Sequence, residues 1–343
     1  MGLCNDGSAS RQESGRGTDA ERPLITVFVL NWNRRDDLLR CLESVRGQTY
    51  RPIDMLVVDN GSDDGSADAA ERAFPEATVV RLDRNYGCPG GRNRGIGHAK
   101  GDYIFFVDND GILHEQAVER AYRAMCIDRR IGVVTGRVKD FSCPQEVDER
   151  CGVESDDASR FVSSFQGGIS MHRKSMYRDV GTYPDDYMYG AEETNMSLRM
   201  LDRGYLIYRD TTVVLWHKRA ATARDRRREF LHARANSLAT AWQLYPFELV
   251  LLYSLRYWFQ DSTLAIRRRL FRAWLCSVPR SWRRAVATAL RERRPVRRRT
   301  MQLYWRLRDS TITTADDAVR TEAGYWRSVW HLYLWRRRLG ADS

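Results

Sequence analysis

The chain has 343 residues, of which 43% are apolar and 11% aromatic, enough to bury a core and too many for wholesale disorder. Its formal net charge of +11 is unevenly spread: residues 220–343 hold 26 arginines, no lysine and 10 carboxylates, a net of +16 that leaves −5 for residues 1–219. No run reaches the roughly 18 apolar residues of a membrane-crossing helix, and the nearest, Phe247 to Phe259, is interrupted by Glu248 and Arg256.

Residues 1–22 are rich in Ser, Gly, Asp and Arg and read as a disordered leader without the apolar run of a signal peptide. Seven cysteines, an odd number with no Cys-x-x-Cys pair, argue for reduced thiols in a cytosolic protein. Cys143 and Cys151 are the one pair placed to bridge a loop, and free thiols are the expectation there too. The change of charge sets a boundary near Lys218, between residues 23–219 and a basic, aromatic-rich helical region over 220–343.

From Leu24 short apolar runs alternate with amphipathic segments. Leu24–Leu30 predicts a buried strand, and Asp36–Arg46 a helix with Leu38, Leu42 and Val45 on one face. Ile53–Val58 predicts a second strand, Ser66–Phe74 a helix stopped by Pro75, and Thr78–Leu82 a third strand. Gly90–Lys100 reads as a helix despite its glycines, Tyr103–Val107 as a fourth strand, His114–Asp128 as a helix and Gly132–Val138 as a fifth strand. A helix after Tyr189 that ends near Gly204, and a strand over Thr212–Leu215, close the acidic half. This alternation predicts an α/β fold, a doubly wound, mostly parallel sheet covered on both faces, with a basic helical extension at its C-terminal end.

In such sheets ligands gather beyond the carboxyl ends of the strands. Four successive strand ends here carry Asp or Asn: Asn31 and Asn33, then Asp59, then Asp83 and Asn85, then Asp108 and Asp110. That edge describes a nucleotide site. Asp59 is placed to accept a hydrogen bond from a base N–H, although Gly61, Gly65 and Ser66 around it are ordinary turn and cap chemistry. The loop Gly87–Gly95 opens a helix with Arg92, Asn93 and Arg94, and glycine-rich loops of this kind let backbone N–H groups and arginines meet phosphate oxygens. It lacks the lysine of a P-loop and the dinucleotide fingerprint. Asp108 and Asp110, two apart in an extended segment, face one way and predict a site for a hard divalent cation. His217 offers that cation a nitrogen ligand, which tilts the expectation toward Mn²⁺ over Mg²⁺. Glu192 and Glu193 open a helix behind Tyr183, Tyr187 and Tyr189, which suggest an exposed, shaped loop where a carboxylate could serve as general base toward an acceptor hydroxyl.

The order Val58-Asp59-Asn60-Gly61-Ser62, Asn85-Tyr86-Gly87, Gly91-Arg92-Asn93-Arg94-Gly95, Asp108-Asn109-Asp110, Gly167-Gly168, Glu192-Glu193 and His217 resembles family 2 glycosyltransferases of the GT-A fold over roughly residues 24–218. The resemblance implies inverting transfer of a sugar from a nucleotide-diphosphate donor, assisted by Mg²⁺ or Mn²⁺. By matching positions it implies Asp59 at the base, Asp108 at the ribose or diphosphate and Asp110 at the metal. It makes Glu193 the catalytic base, with Glu192 as substitute. The family usually has Asp at that place and again two residues on, where this chain has Glu193 and Asn195. Processive synthases of the family carry membrane helices and a Gln-x-x-Arg-Trp motif; this sequence has neither, which implies transfer of a single sugar. The overall pattern is most similar to bacterial rhamnosyltransferase-type enzymes acting on lipid-linked or cell-wall glycans, so the acceptor expected is a glycan, a glycolipid or a small molecule. A GT-A-like scaffold that binds nucleotide or glycan without catalysis is the alternative, kept by Glu193 and Asn195.

In residues 220–343 arginine runs (226–228, 267–269, 297–299, 336–338) interleave with aromatic residues. One reading is a helical appendage with a solvated arginine face. The other is peripheral attachment to an anionic membrane on its inner, cytoplasmic face, with Trp242, Trp258, Trp274, Trp282 and Trp305 at the interface. Nucleic acid is disfavoured as a partner, because the acidic half supplies a complete transferase site and no nucleic-acid module.

Overall fold

The computed structural model describes residues 22–141, 158–218, 226–308, 311–320 and 324–325. The expected leader through residue 21, Cys143, Cys151 and the arginine run 336–338 lie outside the described residues. Strands β1 (Ile25–Asn31), β2 (Ile53–Asp59), β3 (Thr78–Arg81), β4 (Tyr103–Asp108), β5 (Gly111–Leu113), β6 (Ile131–Phe141), β7 (Arg160–Phe161), β8 (Ile169–Arg173) and β9 (Leu206–Lys218) form one sheet. Helices α1 (Arg35–Arg46), α2 (Ser66–Ala73), α3 (Gly87–Ile96), α4 (Ala117–Met125), α5 (Met176–Val180) and α6 (Glu192–Asp202) cover it. The α1 face is the expected one, with Leu38, Leu42 and Val45 buried together with Cys41, and Asp36 and Asp37 in its first turn, where the helix dipole favours acids.

The spatial order is β3-β2-β1-β4-β8-β6-β9-β5, with β7 beside β9. The first four strands are parallel, so Asn31 lies opposite Asp59, and Leu30 opposite Asp108, at one edge. The expected run of parallel neighbours stops there. β8 enters between β4 and β6 and is antiparallel to both. Its insertion brings the Gly167–Gly168 turn against the end of β4, where Asp108 N donates to Gly168 O at 3.1 Å. Local apolar pattern cannot report which strand a five-residue segment will join.

Two glycines of α3 have a packing role. A Cβ on Gly91 would lie 2.6 Å from the Leu30 side chain, and one on Gly95 only 2.4 Å from the Phe28 ring. They let the helix press onto β1, and so fix the height of Arg92 and Arg94 between them.

The regular structure of the extension is all helical in its described part: α7 (Arg226–Leu244), α8 (Phe247–Arg256), a π-helical turn (Tyr257–Asp261), α9 (Ser262–Arg267), α10 (Phe271–Glu292), α11 (Arg298–Arg308) and α12 (Ala315–Val319). It has a core of its own around Phe230, Leu238, Tyr257 and Trp274, while Leu307 and Ala318 return to the core beneath the sheet. Four of the five tryptophans expected at a membrane interface point inward. Trp274 and Trp305 are buried, and Trp242 packs edge-on against Trp282 at 5.6 Å. Only Trp258 of the five is exposed. Among the described residues no helix is long and apolar enough to cross a membrane.

Candidate active site

At the β1 and β2 ends a buried network fixes the loops. Asn31 Nδ2 donates to Asp59 Oδ1 at 2.9 Å and to Ser66 Oγ at 2.8 Å, while Asn31 Oδ1 accepts from Asn109 Nδ2 at 2.8 Å. Asp59 also accepts from Ser62 N and Ser62 Oγ. Asn33, in the left-handed region at φ 58°, donates its N–H to Ser62 Oγ and accepts from Asp63 N through Oδ1. Asn85 Oδ1 accepts from Gly87 N and from Asn60 Nδ2, and shapes the turn into α3. Asn31, Asn33, Asp59 and Asn85 thus share one rim, which their own hydrogen bonds hold in shape.

The second part of the site lies one strand over. Asp108 ends β4 and Asp110 follows it, and β5 pairs antiparallel with β9 so that Gly111 faces His217. That register carries His217 Nε2 to 3.0 Å from Asp110 Oδ1. One ligand atom each from Asp108, Asp110 and His217 fits within 4.8 Å of the others, two oxygens and an imidazole nitrogen suited to Mn²⁺ or Mg²⁺. The Arg34 guanidinium also pairs with Asp110, so the buried carboxylate is already matched by positive charge. Arg34 sits at φ 63°, the turn that launches α1. Its part in the site is not marked in the sequence, because nothing local reports a left-handed turn that aims a side chain back at β4.

The third part joins α3, the Gly167–Gly168 turn and α6. Arg92 is 3% exposed and lies 3.6 Å from Asp108, between the rings of Phe106 and Tyr183. Its Nη1 has no hydrogen-bond partner. A Cβ on Gly167 would lie 2.5 Å from that Nη1 and 2.6 Å from Glu193 Oε1, so guanidinium and carboxylate crowd one point. A Cβ on Gly168 would overlap Asp108 Oδ2 at 2.0 Å. Two side-chain-free residues in a row are what let three charged groups converge here. Burial raises the Glu193 carboxyl, and Arg92 opposes that rise. Burial and the neighbouring Glu193 charge push Glu192 up to about 8, and its Oε2 is buried without a partner.

Other expected residues face elsewhere. Asn93 donates to Tyr183 O at 2.9 Å and accepts from Tyr183 N, while Arg94 pairs with Asp185 at 2.9 Å and stacks on Tyr86. Both latch α3 to the loop before α6. That loop is less exposed than its tyrosines suggested: Tyr183 and Tyr187 are buried, and Tyr187 Oη meets Thr240 Oγ1 of α7 at 2.8 Å. Asn195, where the resemblance expects a second carboxylate, donates to Gln243 Oε1 of α7 at 2.8 Å and accepts from Arg199. The departure joins the helix that carries the glutamates to the basic extension.

Residues 26–155 match the family model for glycosyl transferase family 2. Over 200 residues the chain is 26% identical to glycosyltransferase AglE of Haloferax volcanii, a match over 53% of this chain and 63% of the relative, just under two thirds of its length. TarS 1-349 of S. aureus superposes with a TM-score of 0.56 at 15% identity, over 82% of this chain and 85% of that one. The mannosyltransferase PcManGT of Pyrobaculum calidifontis, solved with GDP-Man and Mn²⁺, superposes with a TM-score of 0.53 at 17% identity, over 79% of this chain and 88% of that one. At these identities the likeness establishes the fold, and the fold is GT-A.

Proposed function

Starting from a chain that belongs to the family 2 glycosyltransferases and carries their domain over residues 26–155, we propose that the protein moves a single sugar from a nucleotide-diphosphate donor to an acceptor hydroxyl with inversion. The observation that carries this reading is the convergence of Asp108, Arg92 and Glu193 across the Gly167–Gly168 turn, beside the Asp110–His217 pair. The rim of Asn31, Asn33, Asp59 and Asn85 receives the nucleoside, with Asp59 toward the base. Arg92 and Asp108 stand at the diphosphate. Asn93 and Arg94 support them by holding the loop at Tyr183 and Asp185.

Glu193 is the base. Its carboxylate takes the proton of the acceptor hydroxyl as that oxygen bonds to the anomeric carbon from the face opposite the diphosphate, which leaves with the electron pair of the broken C–O bond. Burial raises the Glu193 carboxyl overall, and Arg92 opposes that rise, which favours its ionised form. Glu192, its carboxyl raised and its Oε2 enclosed, stays protonated near neutral pH and cannot serve first. Asp108, Asp110 and His217 would hold a divalent cation, which would supply Lewis-acid stabilisation to the departing diphosphate. The acceptor class is a glycan, glycolipid or small molecule, and the working place is the cytoplasmic face of a membrane, held peripherally.

The test is a thermal-shift series with UDP, dTDP and GDP, with and without Mn²⁺, on wild type and Asp110→Asn, paired with turnover of Glu193→Gln. One nucleotide should stabilise the wild type only with metal, and Asp110→Asn should lose that gain. Glu193→Gln should bind donor and fail to transfer. Normal turnover in that variant would sink the base assignment, and a nucleotide shift indifferent to metal would sink the cation site.

A further inference from the structure

The helical extension presents a surface that the transfer chemistry does not use. Sixteen large apolar side chains stand exposed among the described residues, and ten of them fall between Phe247 and Leu290. Singly scattered apolar residues need no explanation, whereas a cluster does. Phe247, Leu251, Leu255 and Phe259 recur every fourth residue, which sets them on one face of α8 and the π-helical turn. The exposed Trp258 beside them packs on the buried Trp274 ring at 5.8 Å, and Phe271 stacks on the same ring at 5.9 Å. Through Trp274 the face therefore continues onto α10, where Phe271 and Leu275 are exposed as well.

Its exposed charge is overwhelmingly positive. Residues 247–291 contain nine arginines against two carboxylates, Glu248, which pairs with Arg298, and the buried Asp261. Of the arginines, Arg267, Arg268, Arg269, Arg272, Arg280 and Arg283 are exposed. A second copy of the chain would bring the same cationic rim against itself, so self-association of this face is opposed by charge. An apolar centre with a cationic rim complements a bilayer: the rings and leucines enter the acyl boundary and the guanidinium groups meet anionic headgroups.

We propose that the face formed by α8, the π-helical turn and the start of α10 docks on an anionic lipid bilayer, with Phe247, Leu251, Leu255, Phe259, Phe271 and Leu275 inserted. This deepens the peripheral attachment proposed for the enzyme and rests on it, not on the transfer reaction. Co-sedimentation with phosphatidylglycerol–phosphatidylcholine vesicles and with pure phosphatidylcholine vesicles tests it on the full chain, beside Leu251→Ser/Phe259→Ser and Arg267→Gln/Arg268→Gln/Arg269→Gln. Wild type should pellet with the anionic vesicles alone, and each variant should bind them about tenfold or more weakly while keeping the wild-type circular dichroism spectrum. Brominated lipid should quench wild-type fluorescence and lose most of that effect on Trp258→Phe, a readout independent of how the multiple variants fold. Wild-type pelleting that both variants share would overturn this face and leave peripheral attachment standing. No pelleting of wild type with either vesicle would overturn attachment itself. A concentration-dependent dimer in sedimentation velocity, lost in Leu251→Ser/Phe259→Ser, would instead assign the face to a second copy.

Discussion

The two regions of this molecule handle charge in opposite ways. In the acidic half a buried charge is placed against specific partners: Asp110 against Arg34 and His217, and Arg92 against the less buried Asp108. In the extension the arginines outnumber carboxylates 26 to 10, and most of those among the described residues are exposed. A charge removed from water must be matched by geometry, and its loss leaves an orphan partner. A charge left in water is screened and replaceable, and acts only in sum. The first arrangement suits chemistry on one bond, the second suits adhesion to an extended surface.

That contrast is broken most sharply by single substitutions that keep shape. Glu193→Gln should lower kcat by about 10²–10⁴ while donor affinity is retained, the range expected when a general base is removed. Asp110→Asn should cost on the order of 10²–10³ in kcat, the scale for losing one electrostatic stabiliser, and should abolish the metal-dependent thermal gain. Steady-state kinetics with a matched donor measures both. An effect under about threefold in either would mean that buried placement at this edge does not mark function.

Gly168→Ala comes next. The added methyl would sit 2.0 Å from Asp108 Oδ2, so either the turn or the carboxylate must move. We expect a loss of about 1–3 kcal/mol in denaturant unfolding, the cost of overpacking, together with weaker Mn²⁺ binding by calorimetry. Unchanged metal affinity would show that the turn leaves Asp108 free to adjust.

Much of this site was legible beforehand, and the limit has a physical cause. Asn31, Asp59 and Asp108 stand out because parallel strands of similar start must end at one edge. Asp110 and His217 could be joined by chemistry, as ligands of one cation, before the β5–β9 register explained their meeting. Residues whose role depends on a distant element were not legible in that way. Asn93 and Arg94 resemble phosphate donors until the loop at Tyr183 and Asp185 folds over them. Arg34 needs a left-handed turn to reach Asp110, and the inward tryptophans need the α7–α10 packing that buries Trp274. The antiparallel entry of β8 is a tertiary choice, and with it comes the Gly168 contact on Asp108.

Asn195 lies where the two regions meet. Its amide donates to Gln243 Oε1, with a longer contact to Thr240 Oγ1 at 3.4 Å, and an Asp there would present only acceptors. Asn195→Asp restores the residue type expected by resemblance, yet should destabilise the α6–α7 seam by about 1–3 kcal/mol, because Gln243 Oε1 loses its donor. Chemical denaturation measures this. A gain in stability or turnover would mean that the seam tolerates a carboxylate and that the departure has no structural cause.

The smallest effect expected is a pH dependence centred on Glu192. Its carboxyl sits near 8 in the folded protein against an ordinary 4.5, chiefly through burial and then through the Glu193 charge. The folded state therefore binds a proton more tightly than the unfolded chain does. The stability this contributes is fully present below the unfolded value, and it is lost as pH rises through the folded one, between about 4.5 and 8. Glu192→Gln keeps the shape and cannot ionise, so it should erase this slope: its melting temperature should gain on wild type by a few degrees at pH 8 relative to pH 5. Glu193 raises the proton affinity of Glu192, so Glu193→Gln alone should shift the midpoint of the wild-type slope downward. Parallel melting curves for wild type and Glu192→Gln across that range would mean that the enclosed Glu192 reaches water, and the reason for making Glu193 alone the base would go with it.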